Sequence, residues 1–125
     1  MSYSKIQDYK AQSVSSMSKG EQLVLLYDEA LKNLRFSGIM LKNNDMANFF
    51  KCTRKAKDVF SYLSSILNHD YEISANLDSL YDFFRSELVR AENEKSFEPL
   101  EPLIPMVEDL KSAWIEADKQ MHNRR

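Results

Sequence analysis

The sequence is poor in the residues that staple, break or turn a chain. It holds a single cysteine (Cys52), a single tryptophan (Trp114), two glycines and three prolines in 125 residues. One thiol cannot close an internal disulfide, so no disulfide framework holds this chain. So little glycine and proline argues against a turn-rich all-β domain. No stretch of about 18 apolar residues occurs, so no membrane insertion is expected. The opening Met1-Ser2-Tyr3-Ser4-Lys5 lacks the apolar run of a secretory signal, and the expected location is the cytoplasm. Neither charge sign dominates, with 17 basic against 19 acidic residues and a net charge of −2. Nothing therefore draws the whole surface toward a phosphate backbone, and nucleic acid is not an expected partner. Also missing are Cys or His pairs at metal-ligand spacing, a glycine-rich phosphate loop and a Gly-x-Ser-x-Gly elbow. The expectation is a protein with no metal, no cofactor, no catalytic residue and no enzymatic activity.

What is present is apolar and helical. Hydrophobic residues make up 43%, with seven Phe and six Tyr, more than a disordered chain carries and enough for one soluble domain. Residues 1–17 are polar, punctuated by Tyr3, Ile6, Tyr9, Val14 and Met17, and read as an N-terminal arm. Ser18 and Glu21 then have the spacing of a capping box, which predicts a helix over 18–42. At the helical period of about 3.6 residues, Leu23, Val24, Leu26, Tyr27, Ala30, Leu31, Leu34, Gly38 and Leu41 share its inner face. Asn43 and Asn44 tolerate the left-handed conformation that ends helices, and Asp45 can cap the next. That second helix is expected over 46–67, burying Phe49, Cys52, Thr53, Ala56, Val59, Phe60, Leu63 and Leu67. After a linker at His69 to Glu72, a third over 74–93, capped by Ser74, buries Leu77, Leu80, Tyr81, Phe84, Leu88 and Ala91.

Pro99, Pro102 and Pro105 recur every three residues, and an interior proline removes a helical hydrogen bond at about 3 kcal/mol. One long helix cannot cross this stretch. Ser96 can cap a short helix over 96–102, and Pro105 can stand at the start of a last helix over 104–121. Its inner face would be Met106, Val107, Leu110, Ala113, Trp114, Ala117 and Met121. The expected fold is all-α: an antiparallel up-and-down bundle of four long helices plus one short helix, forming one domain over 18–122 with a disordered tail at 123–125.

Two single residues invite chemistry and do not carry it. His69 stands at an expected helix end, whereas a phosphorelay histidine sits in mid-helix beside a lysine and a glycine, so it reads as a linker residue. Cys52 lies on an apolar stripe and reads as a small buried hydrophobe rather than a reactive thiol. More telling are large apolar residues off the core stripes: Leu25, Phe36, Ile39, Met40, Phe50, Phe83, Val89 and Ile115. Scattered singly they are ordinary; grouped at one groove they would receive a partner's amphipathic helix. Ile6 and Tyr9, three apart in the arm, suit one turn packed onto such a groove. The candidate binding residues are thus Ile6, Tyr9, Val14, Leu25, Phe36, Met40, Phe50 and Phe83.

The run Tyr9-Lys10-Ala11-Gln12-Ser13-Val14, then Ser18-Lys19-Gly20-Glu21-Gln22-Leu23, then Leu26-Tyr27-Asp28-Glu29-Ala30-Leu31, resembles the opening of the flagellar secretion chaperone family FliS. The resemblance continues through Asn76-Leu77, Leu80-Tyr81-Asp82, Leu88 and Ala91, and closes at Leu110-Lys111 with Ala113-Trp114. It implies a cytoplasmic helical bundle that binds the C-terminal segment of flagellin, stops early polymerisation and aids delivery to the flagellar type III export gate. It also implies an arm packed over a groove the client uses. Two positions depart from the family pattern: Ile6 stands where a first arm tyrosine is usual, and Lys19 replaces a proline. The proline cluster is a third departure. A chaperone or adaptor for another type III substrate stays open, as do a flagellar regulator as a further partner and the choice between monomer and homodimer.

Overall fold

The computed structural model describes residues 19–123, with side chains over 19–120. The arm, with Ile6, Tyr9, Val14 and the Ser18 cap, lies outside the described residues, as do positions 124 and 125. Four helices follow in order: α1 Lys19–Lys42, α2 Met46–Ser65, α3 Ile73–Glu94 and α4 Leu103–Asn123. Among the described residues there is no strand. The helix α1 packs against both α2 and α4, and α2 packs against α3.

The expected stripes supply most of the core. Tyr27, Ala30, Leu31 and Leu34 of α1 meet Phe49, Ala56, Val59, Phe60 and Leu63 of α2 and Leu77, Tyr81, Phe84, Leu88 and Ala91 of α3. Each large side chain removed from water contributes about 1.5–3 kcal/mol before chain entropy is counted. The Phe60 ring centroid lies 4.9 Å from that of Phe84 and 6.2 Å from that of Tyr81, separations at which aromatic pairs attract beyond their buried area. Cys52 is half-buried, and burial pushes its thiol up, which suits a packing residue better than a nucleophile.

The α1–α2 connection follows its sequence signals. Asn44 takes the left-handed conformation at φ 56°, and the Asp45 N–H donates to the Met40 carbonyl at 2.8 Å. The Asp45 carboxylate then accepts the Asn48 N–H at 3.2 Å and its side-chain amide at 2.6 Å, closing an N-cap. The start of α3 differs from expectation. The helix begins at Ile73 with Glu72 at the cap position and no capping side chain. Ser74 is buried inside the first turn and donates its hydroxyl to the Asn68 carbonyl at 2.5 Å. With its hydroxyl bonded six residues back, Ser74 does not cap the helix.

The short helix expected over 96–102 is instead a run of turns. The Glu101 N–H donates to Phe97 at 3.1 Å and the Leu103 N–H to Leu100 at 3.0 Å, and prolines at 99 and 102 prevent these from continuing as a helix. Ser96 does accept the Glu98 N–H at 3.1 Å. Leu100 and Leu103 are fully buried, so the turns act as a plug into the core. Pro105 is the third residue of α4, still within the first turn, where an N–H has no helical partner.

The last helix is less covered than its pattern predicts. Val107 is buried, Met106, Leu110 and Trp114 are half-buried, and Ala113 and Ala117 are exposed; the Met121 side chain lies outside the described ones. The stripe is amphipathic, yet α1 is the main helix packed against it. That packing is sewn by charge: Arg35 to Glu108 at 3.0 Å and Lys111 to Asp28 at 2.6 Å.

A candidate interaction surface

Buried polar groups fix how α1, α3 and α4 meet. The Trp114 indole N–H donates to the Tyr27 hydroxyl at 2.9 Å, and that hydroxyl lies 2.5 Å from the Tyr81 hydroxyl. Burial pushes both phenols above their ordinary ionisation range, so they stay neutral and serve as a hydrogen-bonded tie. At the other end of the α2–α3 contact, Glu92 accepts from Thr53 at 2.6 Å and from Lys57 at 2.8 Å. Arg85 spans the same pair of helices, donating to the Phe60 carbonyl at 3.0 Å and the Ser64 hydroxyl at 2.9 Å.

Around this tied frame, apolar side chains face outward. Of the expected binding residues, Phe36 on α1 and Phe83 on α3 are exposed, at 42% and 43%. Leu25 is half-buried, and Met40 and Phe50 are half-buried against the core. Ile39 and Val89 are exposed as well, and Ile115 is half-buried. Four further exposed residues escaped the sequence reading: Tyr62 on α2, Ile66 at its C-cap, Tyr71 in the linker and Ile73 at the start of α3. Tyr62 and Ile66, four apart, share one helical side, a spacing that could have flagged them. Tyr71 could have been flagged as a large aromatic in an otherwise polar linker.

One groove of about 740 Å³ lies between the end of α1, the start of α2 and residues 95–97. Gly38, Ile39, Leu41, Met46, Phe97 and Ile104 are among its walls. Gly38 lets the Phe97 ring approach closely: a Cβ there would stand 3.0 Å from it. Of the expected binding residues that are described, Leu25, Phe36, Met40, Phe50 and Phe83, none lines this groove, although Ile39 does; Ile6, Tyr9 and Val14 lie outside the described residues. The described residues hold no group of His, Cys, Asp and Glu able to bind a metal ion, and none of their helices is long and apolar enough to cross a membrane. The chemistry such a surface offers is apolar contact and charge pairing with another chain.

Comparison with known proteins gives that surface a context. The family model described as flagellar protein FliS matches residues 2–121. A flagellar secretion chaperone FliS of Bacillus subtilis (strain 168) is 29% identical over 109 residues, covering 87% of this chain and 82% of its own length. A flagellar secretion chaperone FliS of Vibrio cholerae serotype O1 is 32% identical over 71 residues, covering 55% of this chain and 52% of its own. With nearly the whole helical chain, its half-covered α4 and its outward apolar residues inside that match, this protein belongs to the FliS family of flagellar chaperones.

Proposed function

We propose that the chain is a cytoplasmic, non-enzymatic export chaperone that binds the C-terminal segment of flagellin, prevents its premature polymerisation and aids its delivery to the flagellar type III export gate. The observation that carries this reading is the family match over residues 2–121. The exposed Phe36 and Phe83 and the half-covered Leu110 and Trp114 support it, because a segment that is disordered until it docks needs apolar surface along which to fold. An antiparallel up-and-down bundle belongs to the same reading. It is supported by the opposing order of the pairs Arg35–Glu108, Asp28–Lys111 and Tyr27–Trp114. The arm residues Ile6, Tyr9 and Val14 would cover part of the client surface in the free protein.

The test is calorimetric titration with a peptide spanning roughly the last forty residues of flagellin from the same cell, long enough to wrap a small bundle at ~1.5 Å per helical residue. One-to-one binding with a gain of helicity and a negative heat-capacity change is expected. Absence of binding at high micromolar concentration would overturn flagellin as the client.

A further inference from the structure

The groove beside Phe97 carries a charge opposite in sign to the net charge of the chain. Its apolar walls are Ile39, Leu41, Met46, Phe97 and Ile104, and its charged lining is Arg35, Lys42 and Lys95, with no Asp or Glu. The whole chain has more acidic than basic residues, 19 against 17. Arg35 is engaged with Glu108 at 3.0 Å. Among the described residues, Lys42 and Lys95 have no acidic partner. Lys95 also occupies a left-handed position at φ 50°, where it ends α3 through a bond from its N–H to the Ala91 carbonyl. A glycine at such a position avoids the clash between Cβ and carbonyl that a lysine must bear. An unfavourable backbone held by a residue whose side chain lines a groove points to use of that side chain.

We infer that this groove docks a polypeptide segment of a partner that carries large apolar side chains flanked by carboxylates. The apolar walls take the former, and Lys42 and Lys95 pair with the latter. Residues 1–18 and 121–125 have the wrong charge to fill it: the first hold Lys5 and Lys10 against Asp8, and the second hold His122, Arg124 and Arg125 with no Asp or Glu. A nucleic acid backbone offers nothing to five apolar walls. The inference does not depend on which protein supplies the segment.

The full-length chain is titrated, by fluorescence anisotropy at low and at physiological salt, with two labelled amphipathic peptides. They share Leu and Phe positions and differ only in having Glu or Lys between them. The Glu peptide binds the unaltered protein more tightly by roughly tenfold, a ratio that shrinks with salt. The double substitution Lys42→Glu/Lys95→Glu inverts the preference, with circular dichroism confirming its fold. Lys95→Gly, which relieves the backbone, weakens the Glu peptide several-fold without lowering Tm. Hydrogen exchange shows protection by the Glu peptide at 38–46 and 95–104. Equal affinity for the two peptides, a preference that survives the charge swap, or protection elsewhere would each overturn the assignment. So would equal or tighter binding at these residues of vesicles containing phosphatidylserine. Because the probes are unrelated to flagellin, a flagellin peptide that fails to bind removes the client and leaves this groove's assignment standing, and the converse holds.

Discussion

The hydroxyls of Tyr27 on α1 and Tyr81 on α3 lie 2.5 Å apart across 54 positions of sequence, both buried, with the Trp114 indole N–H donating to Tyr27 from α4. Tyr27 is the shared member, so the two tyrosines are not equivalent. Tyr27→Phe strands both the Trp114 N–H and the Tyr81 hydroxyl, at about 1–3 kcal/mol for the buried hydroxyl and less for the half-buried indole. Tyr81→Phe leaves Tyr27 still paired with Trp114. Urea denaturation should show Tyr27→Phe as the more destabilising change, and the double variant as less destabilised than the sum of the two.

The same pair makes the fold sensitive to alkali. Burial raises both folded-state ionisations above the ordinary phenol value of about 10. Below that value both states hold the protons and the stabilisation is complete. As pH rises past it, the unfolded chain releases protons that the native chain keeps, so stability falls. Thermal melts at pH 9 to 11 should show a steeper loss in the unaltered protein than in Tyr27→Phe/Tyr81→Phe.

Asp45 sets the opposite limb. The Asn48 side-chain amide and backbone N–H hold its carboxylate below the usual range, so its contribution is present above about pH 4 and is lost as pH falls through the lowered value. Asp45→Ala should lower Tm at neutral pH and flatten the acid side of the stability curve.

Gly38 and Phe97 should be energetically coupled. An alanine in a helix is favoured over glycine by about 1 kcal/mol, yet a Cβ at Gly38 would press on the Phe97 ring at 3.0 Å. Gly38→Ala alone should give little or none of that gain. In a Phe97→Ala background it should recover it, and a double-mutant cycle measures the difference.

Phe36→Ala and Phe83→Ala remove exposed side chains and should change stability by no more than about 0.5 kcal/mol. Affinity for the flagellin peptide should fall with at least one of them. Unchanged affinity in both would place the client elsewhere on the bundle.

The helices, the tight turn at Asn44, the Asp45 cap and the core residues from Tyr27 to Ala91 follow from the sequence because each depends on neighbours within a turn or two: the period of apolar residues, a capping carboxylate, a residue that tolerates positive φ. Phe36 and Phe83 stand out for the same reason, as apolar residues off a regular stripe, and both are exposed. The Ser74 hydroxyl is taken by the Asn68 carbonyl six residues back, so it does not cap. Distant partners settled the remainder. The segment 96–102 sends Leu100 into the core from turns instead of a helix. Ala113 and Ala117 keep an apolar pattern but are exposed, because α4 is packed chiefly against α1. The Tyr27–Tyr81–Trp114 tie and the groove between Ile39 and Phe97 join residues far apart in the chain. Periodicity says which way a side chain faces on its own helix. Which neighbour arrives to cover it depends on how whole helices pack, and no local spacing encodes that.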